Sequence, residues 1–192
     1  FLFLRKAIMY KAITAAFLLL LGCVSASNST STTCVCTTVP CPVEGKNYLT
    51  EGGGSVGTYT YVLNSDGIAV VSSVAVTIVP ADMDQGTDTT SCTQSYSRSM
   101  DDDGTEDCDA GHILAHRLGG PGNQPINIFP QSLGVNRGAF AQFEGDIYDC
   151  MTTGGATSGD LTWNFEYASS SRTKPDTVTY TAKFSGGASF GA

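Results

Sequence analysis

Strand-like segments limit the fold of this chain most. Val56–Leu63 alternates and carries Thr58, Tyr59, Thr60, Tyr61 and Val62. Asn64-Ser65-Asp66-Gly67 is turn chemistry, and Ile68–Val79 is rich in β-branched residues. Such a pattern reads as an antiparallel hairpin or meander. Leu161–Ala168 and Thr177–Phe184 alternate as well, across a loop with Arg172 and Pro175. Cys92–Arg98 reads as a further strand after a polar loop at 82–91. Phe140, Phe143, Ile147 and Cys150 recur at helical spacing, which predicts a helix over Asn136–Cys150, and Gly154, Gly155 and Gly159 break it. The fold class expected is α+β with a mostly antiparallel sheet.

The chain has 192 residues, enough for one domain with a real core, and its 41% hydrophobic content excludes disorder throughout. Residues 1–26 read as a signal peptide: Lys6 and Lys11 precede the apolar run Ala15–Leu21, and Val24-Ser25-Ala26 is a small-residue cleavage site. Secretion is the expected localisation. A second route is a lipoprotein box at Leu20-Leu21-Gly22-Cys23, which would tether the chain to a membrane by acylating Cys23. Asn28-Ser29-Thr30 is a sequon of low specificity. Residues 27–45 form a Ser/Thr/Cys-rich arm, 46–185 the folded domain and 186–192 a tail. Cleavage after Ala26 leaves Cys34, Cys36, Cys41, Cys92, Cys108 and Cys150, an even set expected to form disulfides in an exported chain.

Charge sets a constraint of its own. The formal net charge is -8. The leader holds Arg5, Lys6 and Lys11 and no acid, so the remainder has seven basic against 18 acidic residues, near -11. A partner rich in phosphate would be held weakly without metal ions or a local basic patch. Asp101-Asp102-Asp103-Gly104 and Asp82-x-Asp84-x-Gly86 hint at calcium loops. Neither has the full ligand spacing, and solvated acidic loops are the expectation for both.

The informative stretch is Asp109-Ala110-Gly111-His112, then Leu118-Gly119-Gly120, Asn127-Ile128-Phe129-Pro130-Gln131, Asn136-Arg137-Gly138 and Glu144. A His beside an Asp is a candidate oriented base. Asn127, Asn136 and Glu144 offer the hard oxygens that Mg²⁺ accepts. Eight residues separate Asn136 from Glu144, an offset of about 80° on an α-helix, so both can face one cleft. A His base, a hydrated hard cation and no evident covalent nucleophile fit metal-assisted phosphodiester hydrolysis.

The ordered motifs Asp-x-Gly-His, Asn-x-x-Pro-Gln, Asn-x-Gly and a helical Glu resemble the DNA/RNA non-specific endonucleases of the ββα-metal, or His-Me finger, class. Gly111-His112-Ile113-Leu114-Ala115 and Leu118-Gly119-Gly120 resemble its secreted and toxin branch. The resemblance covers about 107–184, and places a ββα-metal core at about 107–150. It implies His112 as general base, Asn136 as direct Mg²⁺ ligand (Mn²⁺ as a substitute) and Glu144 holding metal-bound waters. It further implies Asp109 supporting the metal shell or the His region, and Asn127 fixing the His112 loop. DNA and RNA would be the substrates. For a toxin an immunity protein would be the partner, though no residue indicates one. Ala110 stands where many members carry a phosphate-contacting Arg, so another cation must serve. Arg98 is the first candidate, followed by Arg137 and Arg117 as substrate-binding residues. Two rivals remain: a non-catalytic extracellular binding module on the same fold, and a zinc protein built on His112 and His116. Gln131 and His116 read as structural or peripheral.

Overall fold

The computed structural model describes Cys36 and residues 39–49, 56–102 and 108–187. The leader with Cys23, the sequon, Cys34 and residues 188–192 of the tail lie outside the described residues. The elements are β1 Gly45–Asn47, β2 Val56–Leu63, β3 Ala69–Ile78, α1 Ser91–Ser99, β4 Cys108–His112 and β5 Ile128–Ser132. A helical segment follows, with α2 at Leu133–Val135, a π turn at Asn136–Phe140 and α3 at Ala141–Thr152. Two strands close the chain, β6 Ala156–Glu166 and β7 Thr177–Gly186.

Five strands form an antiparallel sheet in the order β1-β2-β3-β6-β7, while β4 and β5 pair separately. Because β3 lies beside β6, everything from α1 to α3 is an excursion between two neighbouring strands. The fold is α+β, as expected. Side chains alternate along β6, along most of β7 and along β3 beyond its bulge. Tyr59, Tyr61, Val74, Ile78, Leu161, Trp163, Phe165, Val178 and Tyr180 are buried on one face, which the excursion covers. Trp163 stacks on Tyr180 at 4.4 Å, Phe143 of α3 meets Tyr180 edge-on at 4.8 Å, and Phe129 of β5 meets Phe165 at 5.3 Å. Aromatic edge and stacking contacts thus seat the β4–β5–α3 unit on the sheet.

Local chemistry explains the turns. Asn64 Oδ1 accepts hydrogen bonds from the amides of Asp66 and Ile68, at 3.0 and 2.8 Å, and reverses the chain between β2 and β3. Ser72 is the extra residue of a bulge opposite Thr60/Tyr61, and its hydroxyl donates to the Thr60 carbonyl.

Segment 92–98 is a helix, not the strand expected from its sequence. Thr90 caps α1 and exchanges hydrogen bonds with Thr93, at 3.3 and 2.9 Å. Its buried face is Thr93, Tyr96, Ser97 and then Met100, in which hydroxyls replace the usual aliphatics. Ser97 donates to the Asp109 carbonyl at 3.1 Å, and Tyr96 and Met100 pack with Val70, Ile128 and Ala110. The helix therefore covers the outer face of the β4–β5 hairpin.

The cysteine expectation holds in part. Cys36 is bonded to Cys92, which ties the N-terminal arm to α1, and Cys41 is also in a disulfide. Cys108 and Cys150 are free thiols, which corrects the expectation that both are bonded. Cys108 opposes Ser132 in the hairpin, whereas Cys150 lies eighteen helical residues further on, roughly 25 Å at the helical rise. That is far beyond disulfide reach. Cys108 packs instead beside the Ser97 hydroxyl at 3.8 Å.

Of the loop Asp101-Asp102-Asp103-Gly104, the last two residues lie outside the described residues, and the first two are engaged rather than freely solvated. Asp102 accepts from the amides of Thr173 and Lys174, at 2.7 and 3.1 Å, and Asp101 pairs with the buried Lys174 ammonium at 2.9 Å. Together they dock the β6–β7 loop against the end of α1.

Replacing Trp163 with Ala should destabilise the protein by about 3–5 kcal/mol, since it empties the centre of the aromatic stack. Urea denaturation checks this; a loss under about 1 kcal/mol would show that the stack does not organise the core.

Candidate active site

His112 is the last residue of β4, opposite Ile128 at the start of β5. The chain then loops from 113 to 127, with Ile113, Leu114 and Leu118 fully buried as anchors. Gly119 turns through a left-handed φ of 96°, and Gly120 lies so close to the Leu114 carbonyl that no side chain fits. Asn127 braces this loop from inside. Its Oδ1 accepts from the Leu114 amide at 2.9 Å and the Tyr59 hydroxyl at 3.1 Å. Its Nδ2 donates to the carbonyls of Leu114 and Pro121, at 2.9 and 3.3 Å. All four hydrogen-bonding positions of the buried amide are used. Asn127 is therefore a positioning residue with no atom left for metal or substrate.

His112 is oriented by a group that the sequence did not suggest. Its Nε2 lies 3.1 Å from the Thr87 carbonyl oxygen. A carbonyl only accepts, so Nε2 carries the proton and Nδ1 is the unprotonated nitrogen. Burial lowers the His112 pKa below its usual value; the Thr87 bond and Asp88 oppose the shift, and His116 adds to it. His112 is thus a neutral base at pH 7. Gly122 makes the contact possible, since a β-carbon there would sit 2.5 Å from Nε2 and 2.6 Å from the Thr87 oxygen.

Asp109 does not touch His112. Three residues apart on one strand, the two point to opposite faces. Asp109 instead accepts from Asn136 Nδ2 at 2.9 Å and takes a bidentate pair from Arg137, at 2.9 and 3.0 Å. Arg137, with help from Asn136, holds the Asp109 pKa below the usual carboxylate range. The bond to Nδ2 fixes the Asn136 amide with its oxygen turned from Asp109. Arg137 spends its fork on Asp109, which weakens its candidacy as a substrate contact.

His112, Asn136 and Glu144 line one open cleft of about 300 Å³, together with Asp84, Ala115, His116 and Arg117. The π turn helps to gather them: each of its residues rotates the chain less than an α-helical residue, so the expected offset between Asn136 and Glu144 shrinks. Burial pushes the Glu144 carboxyl up to about 8, against an opposing effect of Arg117.

Of the three cations proposed to replace the arginine absent at Ala110, Arg117 lines the cleft. Arg98 does not; it lies exposed on α1 and donates to Ser95 at 3.1 Å, because its segment is a helix rather than a strand. Ala110 packs, partly buried, against the cluster beneath α1. His116 is less peripheral than expected: it lines the cleft, and its Nδ1 pairs with Asp88 at 3.0 Å. The zinc arrangement lacks a third ligand, since no group of three His, Cys, Asp or Glu among the described residues could hold a metal. Gln131 is buried against Gly111, away from the cleft lining.

Sequence reasoning missed Thr87, Asp88, Gly122 and Tyr148 altogether, and Asp84 as part of the site. Asp82-x-Asp84-x-Gly86 was the one visible signal that this loop is special.

The sequence profile of the DNA/RNA non-specific endonucleases matches residues 52–186. That is more than half of the chain, which belongs to this family. Over 121 residues, 63% of the chain, it is 33% identical to a protein of Dickeya dadantii (strain 3937) named probable deoxyribonuclease RhsA. The match spans 8% of that much longer protein.

Asn127→Ala would strand the Leu114 amide and the Tyr59 hydroxyl in a dry interior. It should cost about 2–4 kcal/mol of stability. Chemical denaturation tests this, and a loss below about 1 kcal/mol would mean that the brace is dispensable.

Proposed function

We propose that the chain is a secreted, Mg²⁺-dependent endonuclease that hydrolyses DNA and RNA phosphodiester bonds with little sequence preference. The observation that carries this reading is the single cleft shared by His112, Asn136 and Glu144, with the His112 tautomer set by Thr87. Secretion draws support from the Cys36–Cys92 bond, which suits an oxidising compartment.

The donor set fits a hard divalent cation. The Asn136 amide nitrogen is held by Asp109, which leaves its oxygen as a neutral ligand. Glu144 is a desolvated carboxyl whose charge a cation would offset. Few protein ligands and several waters match Mg²⁺. When bound, the ion would supply charge stabilisation at the phosphate and the leaving oxygen.

His112 Nδ1 takes the proton of the attacking water as its oxygen bonds to phosphorus and the P–O bond to the leaving group breaks. Asp109 keeps Asn136 in its ligand orientation, and Asn127 keeps the His112 loop in register. These groups act on the backbone and read no base edge, which fits low sequence preference. The intact cleft favours this reading over a non-catalytic module.

Digestion of plasmid and RNA by the oxidised protein tests the reading, with Mg²⁺, with Mg²⁺ plus EDTA, and with His112→Ala. The variant should lose about 10²- to 10⁴-fold in rate. The acid limb of kcat/KM should lie below pH 6.5, because the base works deprotonated and burial lowers its pKa. Cutting that survives EDTA or His112→Ala, or an acid limb above 6.5, would contradict it.

A further inference from the structure

One grouping at the cleft is unused by the roles above. Tyr148 lies four residues beyond Glu144 on α3, hence on the same helix side. Its hydroxyl donates a 2.6 Å hydrogen bond to Asp84 Oδ2. Its ring faces Arg117, whose guanidinium carbon stands 5.9 Å from the ring centroid, within cation–π range. The Asp84 amide donates to the Arg117 carbonyl at 2.9 Å. Asp84 does this from a φ of 60°, the single positive value at a non-glycine among the described residues. A side-chain residue held there marks a backbone constrained by its surroundings.

The charge pattern says what this grouping serves. Arg137, Arg172 and Lys174 are each paired with an aspartate. Arg117 lines the cleft and makes no ion pair among the described residues. Asp84, whose amide holds the Arg117 backbone, has its carboxylate engaged by the tyrosine hydroxyl, and Glu144 is the cleft carboxyl whose charged form Arg117 favours. In an acidic chain, a cleft arginine stacked on an aromatic ring with its fork unspent is suited to an anion from outside.

We propose that Asp84 and Tyr148 are positioning residues that hold Arg117 over the cleft, where it meets the phosphodiester of a nucleic-acid substrate. This rests on the reading of the cleft as a phosphodiester site. Asp84 fixes residue 117 twice: its amide holds the backbone, and its carboxylate sets the ring on which the guanidinium lies. A long side chain held this way loses less freedom when it binds phosphate.

A double-mutant cycle tests the proposal. His112→Ala alone, as the reference, and His112→Ala combined with Arg117→Ala, with Tyr148→Leu and with both are prepared with intact disulfides, so that the probe survives. Binding of a fluorescein-labelled DNA oligonucleotide is measured with Mg²⁺ by anisotropy, and thermal melting checks folding. Arg117→Ala should weaken binding about tenfold, and Tyr148→Leu about threefold to fivefold. In the double variant the tyrosine change should cost nothing more. Tyr148→Phe keeps the ring and loses the Asp84 bond, and should fall between the reference and Tyr148→Leu. Additive losses overturn the proposal, as do unchanged binding by Arg117→Ala and absence of binding by the folded reference. Plasmid cutting by the protein with His112 intact reports separately on the broader reading. Cutting with an additive cycle sinks the Arg117 latch alone; a coupled cycle without cutting leaves the latch and sinks catalysis.

Discussion

The chemistry of this cleft depends on one hydrogen bond, from His112 Nε2 to the Thr87 carbonyl. It fixes the tautomer and the ring angle together, the two things a general base needs. The bond comes from the loop between β3 and α1, which crosses the β4–β5 hairpin connection and holds it at many points. The Thr87 amide donates to the Gly120 carbonyl and its carbonyl accepts from the Gly122 amide, the Asp84 amide donates to the Arg117 carbonyl, and Asp88 pairs with His116. Asp84, His116 and Arg117 themselves line the cleft.

The site is consequently built between two supports. On one side Asn127 and the aromatic stack of Trp163, Tyr180 and Phe143 fasten the hairpin and α3 to the sheet. On the other, α1 closes the hairpin's outer face, with the Cys36–Cys92 bond at its first turn. Electrostatics follow the same economy. A chain with net charge -8 cannot draw nucleic acid by its overall field. On the proposed reading attraction is local, from a cation held by Asn136 and Glu144 and from Arg117, while Arg137, Arg172 and Lys174 are paired with neighbouring aspartates.

Much of this was legible from sequence for identifiable reasons. Strands β2, β3, β6 and β7 announce themselves because one face is buried and the other wet, so the period of two survives in the residues. His112, Asn136 and Glu144 were legible because one short stretch carries them all. Helix α1 was not, because its buried face uses Thr93 and Ser97, which carry no hydrophobic period. The loop at 84–88 was not, because its part is played by a backbone carbonyl and amides, which any residue type possesses. For Asp109 two roles stayed open, the metal shell or the His112 region, and only strand geometry, with opposite faces for odd separations, turns it from His112 to Asn136. Cys108 and Cys150 were expected in disulfides as members of an even set, a count that carries no distances.

The most direct test is nitrogen NMR of the His112 imidazole in the oxidised protein at pH 7. The expected result is a neutral ring with the proton on Nε2 and an unprotonated Nδ1. An imidazolium at that pH, or a proton on Nδ1, would contradict it and remove the base from the proposed mechanism.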